Sequence, residues 1–150
     1  MKLYKALKLK KKLVGEITDL KQQIKDKNSY LVGSKNGQKF SVDEAYVQLL
    51  EKIEELVNLK FVINEANKEI QQSIFTLSEF KALLAFWKEV SVTEGTNTTN
   101  AYSEKTQEFC VQVDEAKRNV MVADFQKKID ALQETLDVHN FNTEIAWGDE

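Results

Sequence analysis

Leu56-Val57-Asn58-Leu59-Lys60-Phe61-Val62-Ile63 (residues 56–63) is apolar at six of eight positions. A helix carrying such a stretch is apolar on several sides and is expected to touch more than one neighbour, so the reading places these residues at the centre of the core. Working outward, Tyr46, Leu49, Ile53, Leu56, Lys60, Ile63, Asn67 and Ile70 recur in steps of three and four, the spacing of one helix face. Ser41-Val42-Asp43-Glu44 reads as a capping box at the start of that helix, with Ser41 as N-cap and Glu44 at N3. The chain has no proline. Average usage would supply about seven, so long stretches carry nothing that interrupts a helix.

The same spacing predicts three further helices. Residues 2–27 present Leu3, Ala6, Leu13, Ile17, Leu20 and Ile24 on one seam that only Lys10 interrupts. Thr76-Leu77-Ser78-Glu79 reads as a second capping box, which places a break near Gln71–Phe75 and a third helix ending around Val92. The fourth helix spans about 115–139, with Val122, Phe125, Ile129, Leu132, Leu136 and His139 on its seam. Residues 28–40 read as either a small hairpin turning at Asn36-Gly37 or a plain loop. Thr93–Tyr102 reads as a polar loop. Phe109, Val111 and Val113 alternate with polar residues, as in a short strand or the extended entry to the last helix. The expected fold is mainly α: a single domain, 1–150, of about four helices in a bundle, with long coiled-coil-like antiparallel helices and at most a small β hairpin.

Charge is distributed unevenly. Residues 1–27 hold nine lysines and three acidic residues, and no Lys or Arg follows Lys128. A basic first helix and an acidic remainder can attract each other within one chain or between chains. Cys110 is the only cysteine, which excludes an intramolecular disulfide and a cysteine-rich zinc site. The basic N-terminal stretch lacks the apolar run of a secretion signal, and a soluble cytoplasmic chain is the expectation.

Catalytic readings find little footing. Cys110 and His139 are the only pair of the cysteine-nucleophile type, and they fall on different predicted elements. A di-iron bundle needs two Glu-x-x-His elements, whereas this chain has one histidine, preceded three residues earlier by Leu136. Gly33-Ser34-Lys35-Asn36-Gly37-Gln38-Lys39 lacks the Gly-Lys-Ser/Thr ending of a phosphate loop. Asn97-Thr98-Thr99 matches a glycosylation sequon, which has no meaning without secretion. The reading therefore assigns no catalytic, cofactor or metal residue and expects no enzyme. Its candidate residues are Asn64, Asn67, His139 and Asn140, polar groups on apolar seams that can set register and oligomeric state. Lys8, Lys10, Lys11 and Lys12 form a candidate basic patch.

Met1-Lys2-Leu3-Tyr4-Lys5-Ala6-Leu7, Ile63-Asn64-Glu65-Ala66-Asn67, the Thr76-Leu77 helix start and His139-Asn140-Phe141-Asn142-Thr143-Glu144-Ile145 occur in that order along the chain. Together they resemble a family of small uncharacterised bacterial proteins, some called septicolysin-like. Phe141 stands where that family usually has Trp, and the Gly usually found just before the Thr76 position is absent. The resemblance implies a mostly helical fold and no established activity, and its toxin-like label is set aside. The expected role is structural or interaction-based, in a homo-oligomer. The alternative is a peripheral binder of nucleic acid or anionic membrane through the lysine-rich first helix.

Overall fold

The computed structural model describes residues 1–34, 39–98 and 106–148. The chain is mainly α, as expected. Among the described residues the elements are helices α1 (Leu3–Lys27), α2 (Val42–Ala66), α3 (Gln71–Glu89) and α4 (Glu115–Asn142), with one short antiparallel sheet between α3 and α4, β1 (Gly95–Thr98) with β2 (Thr106–Phe109). The backbone forms two compact units. One comprises Met1–Glu69 with Val138–Glu150, and the other Ile70–Asp137.

In the first unit α1 packs against α2. Glu16 pairs with Lys52 midway along both helices, while the start of α1 and the end of α2 each bond to the Val138–Glu150 segment, so the two helices run antiparallel. At 1.5 Å per residue each is about 37 Å long. The α1 seam is as expected: Leu3, Ala6, Leu13 and Ile17 are buried, and Lys10 is half-buried. Ser41 caps α2, its Oγ accepting a hydrogen bond from the Glu44 N–H at 3.2 Å.

The face of α2 differs from the expectation. The buried residues are Ala45, Leu49, Leu56, Leu59 and Ile63, so the step after Leu56 is three, to Leu59, and Lys60 is exposed. Tyr46 is exposed too. The 56–63 stretch is not enclosed: Leu59 is fully buried, whereas Val57 is 57% and Phe61 65% exposed. Helix α1 covers one face of α2, Ile53 and Val62 are half-buried against the same cluster, and Tyr46, Val47, Leu50, Val57 and Phe61 are exposed.

The second unit is a further helical pair. Leu77 and Leu84 of α3 cluster with Ile129 and Leu136 of α4, and Phe80 meets Phe125 edge-on at 5.6 Å. Arg118 Nη1 donates to the Val90 carbonyl at 3.2 Å near one end, and Lys81 Nζ reaches Gln133 Oε1 at 3.4 Å nearer the other, so these helices are antiparallel as well. Asp114 caps α4, its Oδ1 accepting from the Lys117 N–H at 2.8 Å.

Three local expectations are corrected. The break before α3 falls at a single 3-10 turn, Lys68–Ile70, and not at Gln71–Phe75. Thr76 caps nothing, because it lies within α3 and its Oγ1 donates to the Gln72 carbonyl at 2.9 Å. Gly95–Thr98, within the expected polar loop, forms strand β1, whereas Cys110–Val113 lies outside β2. Between α1 and α2 the described turn is at Leu31–Ser34. There the Ser34 N–H donates to the Leu31 carbonyl at 3.0 Å, and Gly33 takes φ +87°, which a side chain would resist. The Asn36-Gly37 turn, part of the Gly33–Lys39 run, the end of the sequon at Thr99 and the loop through Tyr102 lie outside the described residues.

Candidate functional site

The densest polar geometry lies at one end of the first unit. The Leu3 N–H donates to the Thr143 carbonyl at 2.9 Å, Met1 and Ile145 exchange main-chain hydrogen bonds of 2.8 and 2.9 Å, and Lys2 bridges to Glu144 at 2.9 Å. Tyr4 stacks on Phe141 with ring centroids 5.6 Å apart. Ile145 and Trp147 pack into the same apolar cluster as Leu3, Leu13, Leu59 and Ile63. The segment 143–147 therefore works as a main-chain clamp over the start of α1. The stretches 1–7, 63–67 and 139–145 converge here.

His139 is committed to this structure. Its Nε2 lies 3.1 Å from the Ala66 carbonyl, which can only accept, so Nε2 carries a proton and donates. Its Nδ1 lies 3.3 Å from Thr143 Oγ1. With both ring nitrogens engaged, the imidazole ties the last turn of α4 to the end of α2. Asn67 is the C-cap of α2, its N–H shared among the carbonyls of Ile63, Asn64 and Glu65, and its Oδ1 is buried without a hydrogen-bond partner. Asn64 is exposed and Asn140 half-buried. Of the four polar seam candidates, His139 and Asn67 thus serve the α2 terminus.

Of the basic patch, Lys8 lies over the Tyr4 ring at 5.7 Å, Lys12 pairs with Glu16 at 3.5 Å, Lys10 is half-buried and Lys11 is exposed. Glu16 is the hub of the α1–α2 electrostatics. The hydrogen-bonding approach of the Lys52 ammonium, 3.0 Å away, holds its carboxyl below the usual range against the opposing pull of desolvation, with the charges of Lys52 and Lys12 adding to it. The same pairing raises Lys52. Glu144 is lowered by its hydrogen bond to Lys2.

These shifts have a measurable consequence. Glu16 and Glu144 bind protons less readily folded than unfolded, so their contribution to stability is present above the ordinary carboxylate value of 4.5. It is lost as pH falls through the lower folded values. Glu16→Gln should flatten the acid limb of unfolding free energy against pH, by a small amount because the pair is solvated. An unchanged slope in urea titrations from neutral pH to the acid side would show that the pair is not coupled to folding.

In the second unit a cleft of about 620 Å³ is lined by Phe86, Trp87, Val90, Phe109, Cys110 and Val111 among others, and none of its lining side chains is a carboxylate, lysine or arginine. Cys110 is free and exposed there. The walls suit apolar contact and supply no base for the thiol. Among the described residues no three His, Cys, Asp or Glu side chains are grouped to hold a metal. Among the same residues no helix is long and apolar enough to cross a membrane.

The sequence reading missed the second apolar stripe on α2. Tyr46, Leu50, Val57 and Phe61 are all exposed and fall at helical spacing beside the buried face. Val47 is exposed at its margin. The stripe's signal in the sequence is the surplus of apolar residues around 56–63, which periodicity alone places in the core. No protein-family model matches the chain, and comparison with curated proteins and with solved structures finds no match either.

Proposed function

We propose that this chain is an interaction protein, without enzymatic activity, that self-associates through the outer stripe of α2. The observation behind this reading is the run Tyr46, Leu50, Val57 and Phe61, exposed on a helix whose opposite side is already packed. Contiguous apolar patches on a surface mark contact sites, and large side chains in an i, i+4, i+11, i+15 row suit a helix partner. The homo-oligomer, its coiled-coil character, a cytoplasmic setting and kinship with the septicolysin-like bacterial proteins belong to the same proposal. Binding of nucleic acid or anionic membrane through α1 has weaker support, because Lys12 is already paired with Glu16 and Lys10 is half-buried.

Sedimentation equilibrium across micromolar concentrations tests the proposal. The chain should self-associate, and Leu50→Glu or Phe61→Glu should weaken association about 30-fold or more, the scale of a lost interface anchor. Both residues are exposed, so circular dichroism should stay helical. A strict monomer, or association indifferent to both changes, would remove the reading.

A further inference from the structure

The outer stripe has an internal symmetry. Tyr46 and Phe61 lie at its ends, Leu50 and Val57 inside them, and each pair is centred between Ile53 and Glu54. A copy of α2 laid on another in the opposite direction therefore sets aromatic against aromatic, Tyr46 on Phe61, and aliphatic against aliphatic, Leu50 on Val57. A twofold axis through that midpoint makes both contacts at once, as an isologous interface requires.

Charge selects the same direction. In the antiparallel α1–α2 pair, residues 1–13 hold six lysines and no acidic residue, beside the Leu56–Ala66 half of α2 with one lysine and one glutamate. At the opposite end, Val42–Glu55 holds five acidic residues and one lysine, beside the second half of α1 with three of each sign. Two of the six lysines are already paired, Lys2 with Glu144 and Lys12 with Glu16, and with these pairs included one end remains net basic and the other net acidic. Parallel docking would bring basic end to basic end, which repels, whereas antiparallel docking brings basic end to acidic end.

We infer that the partner on the outer stripe is a second copy whose α2 runs antiparallel, crossing near Ile53 and Glu54, so that the lysine-rich end of each copy lies over the acid-rich end of the other. This rests on the self-association proposed above and adds its direction and its electrostatic basis.

Cross-linking separates the two claims. In a Cys110→Ser background, Leu50→Cys and Val57→Cys are made separately, one carrying a mass tag, and oxidised alone and mixed. A disulfide needs Cβ atoms about 4 Å apart, so it reports direct opposition. Antiparallel docking gives a covalent heterodimer in the mixture and little product from either variant alone. Product from each variant alone shows parallel docking and overturns the inference. Association by sedimentation without any cross-link overturns it too and leaves self-association standing. No association at all overturns both. Salt gives an independent check on the unmodified chain: added salt should weaken the antiparallel dimer by screening its opposed ends, and a dimer strengthened by salt would count against the arrangement.

Discussion

Leu59→Ala is expected to cost the first unit about 2–5 kcal/mol, the range for a buried leucine truncated to alanine. Among the described residues Leu59 is one of three large side chains fully closed to solvent, and it sits in the cluster with Leu3, Leu13, Leu56 and Ile63. Ile63→Ala should fall in the same range, since Ile63 is buried in the same cluster. Phe61→Ala, two residues from Leu59, should change the stability of the single chain, measured at concentrations below those at which it associates, by less than about 1 kcal/mol, because its ring is 65% exposed there. Urea unfolding of the three variants decides the matter. Equal losses at Leu59 and Phe61 would mean that α2 is enclosed on both sides and that its outer stripe is not a surface.

That contrast also marks how far the sequence could be read. On α1 the apolar residues are concentrated on one face, with Val14 exposed outside it, so the spacing places Leu3, Ala6, Leu13 and Ile17 in the core, where they are found. On α2 apolar residues surround the helix, and periodicity alone cannot set the phase. Stepping by four from Leu56 led to Lys60, and stepping by three leads to Leu59. The cost of burying a lysine beside an available leucine favours the second. Thr76 shows a different failure. A Thr-x-x-Glu pattern signals a cap only if the preceding residues leave the helix, and Gln71–Phe75 contains no breaker. Helix formation therefore continued backward to Gln71, and the Thr76 hydroxyl turned to the Gln72 carbonyl instead. Strand β1 was illegible because Gly-Thr-Asn-Thr shows no apolar alternation, and its pairing with Thr106–Phe109 is a main-chain ladder. For the candidate site, His139 was visible as a polar residue on a seam. Its carbonyl partner, Ala66, was not, because a side-chain pattern does not reveal where a carbonyl finds its donor.

Ile145→Ala should also destabilise the first unit by about 2–5 kcal/mol, although the residue lies far beyond the helices it stabilises. Ile145 is 6% exposed and packs among Leu3, Leu13, Leu59 and Ile63. Its main chain exchanges two hydrogen bonds with Met1, and Thr143 accepts from the first amide of α1, so the side chain anchors a clamp that satisfies the α1 start. No side chain caps that helix; the Leu3 amide donates to Thr143 and the Lys5 amide to the Lys2 carbonyl, while the Ile145–Met1 bonds hold the residues just ahead of α1 in place. Loss of the anchor should therefore show twice: in the unfolding free energy, and as faster hydrogen exchange at the Leu3 and Ile145 amides. Trp147, packed against the same cluster, reports the local change by fluorescence in a Trp87→Phe background. Glu144→Ala, at an exposed position on the same strand-like segment, should stay within about 0.5 kcal/mol of the parent. If Ile145→Ala matched Glu144→Ala, residues 143–147 would be a passive extension and the start of α1 would be held by α2 alone.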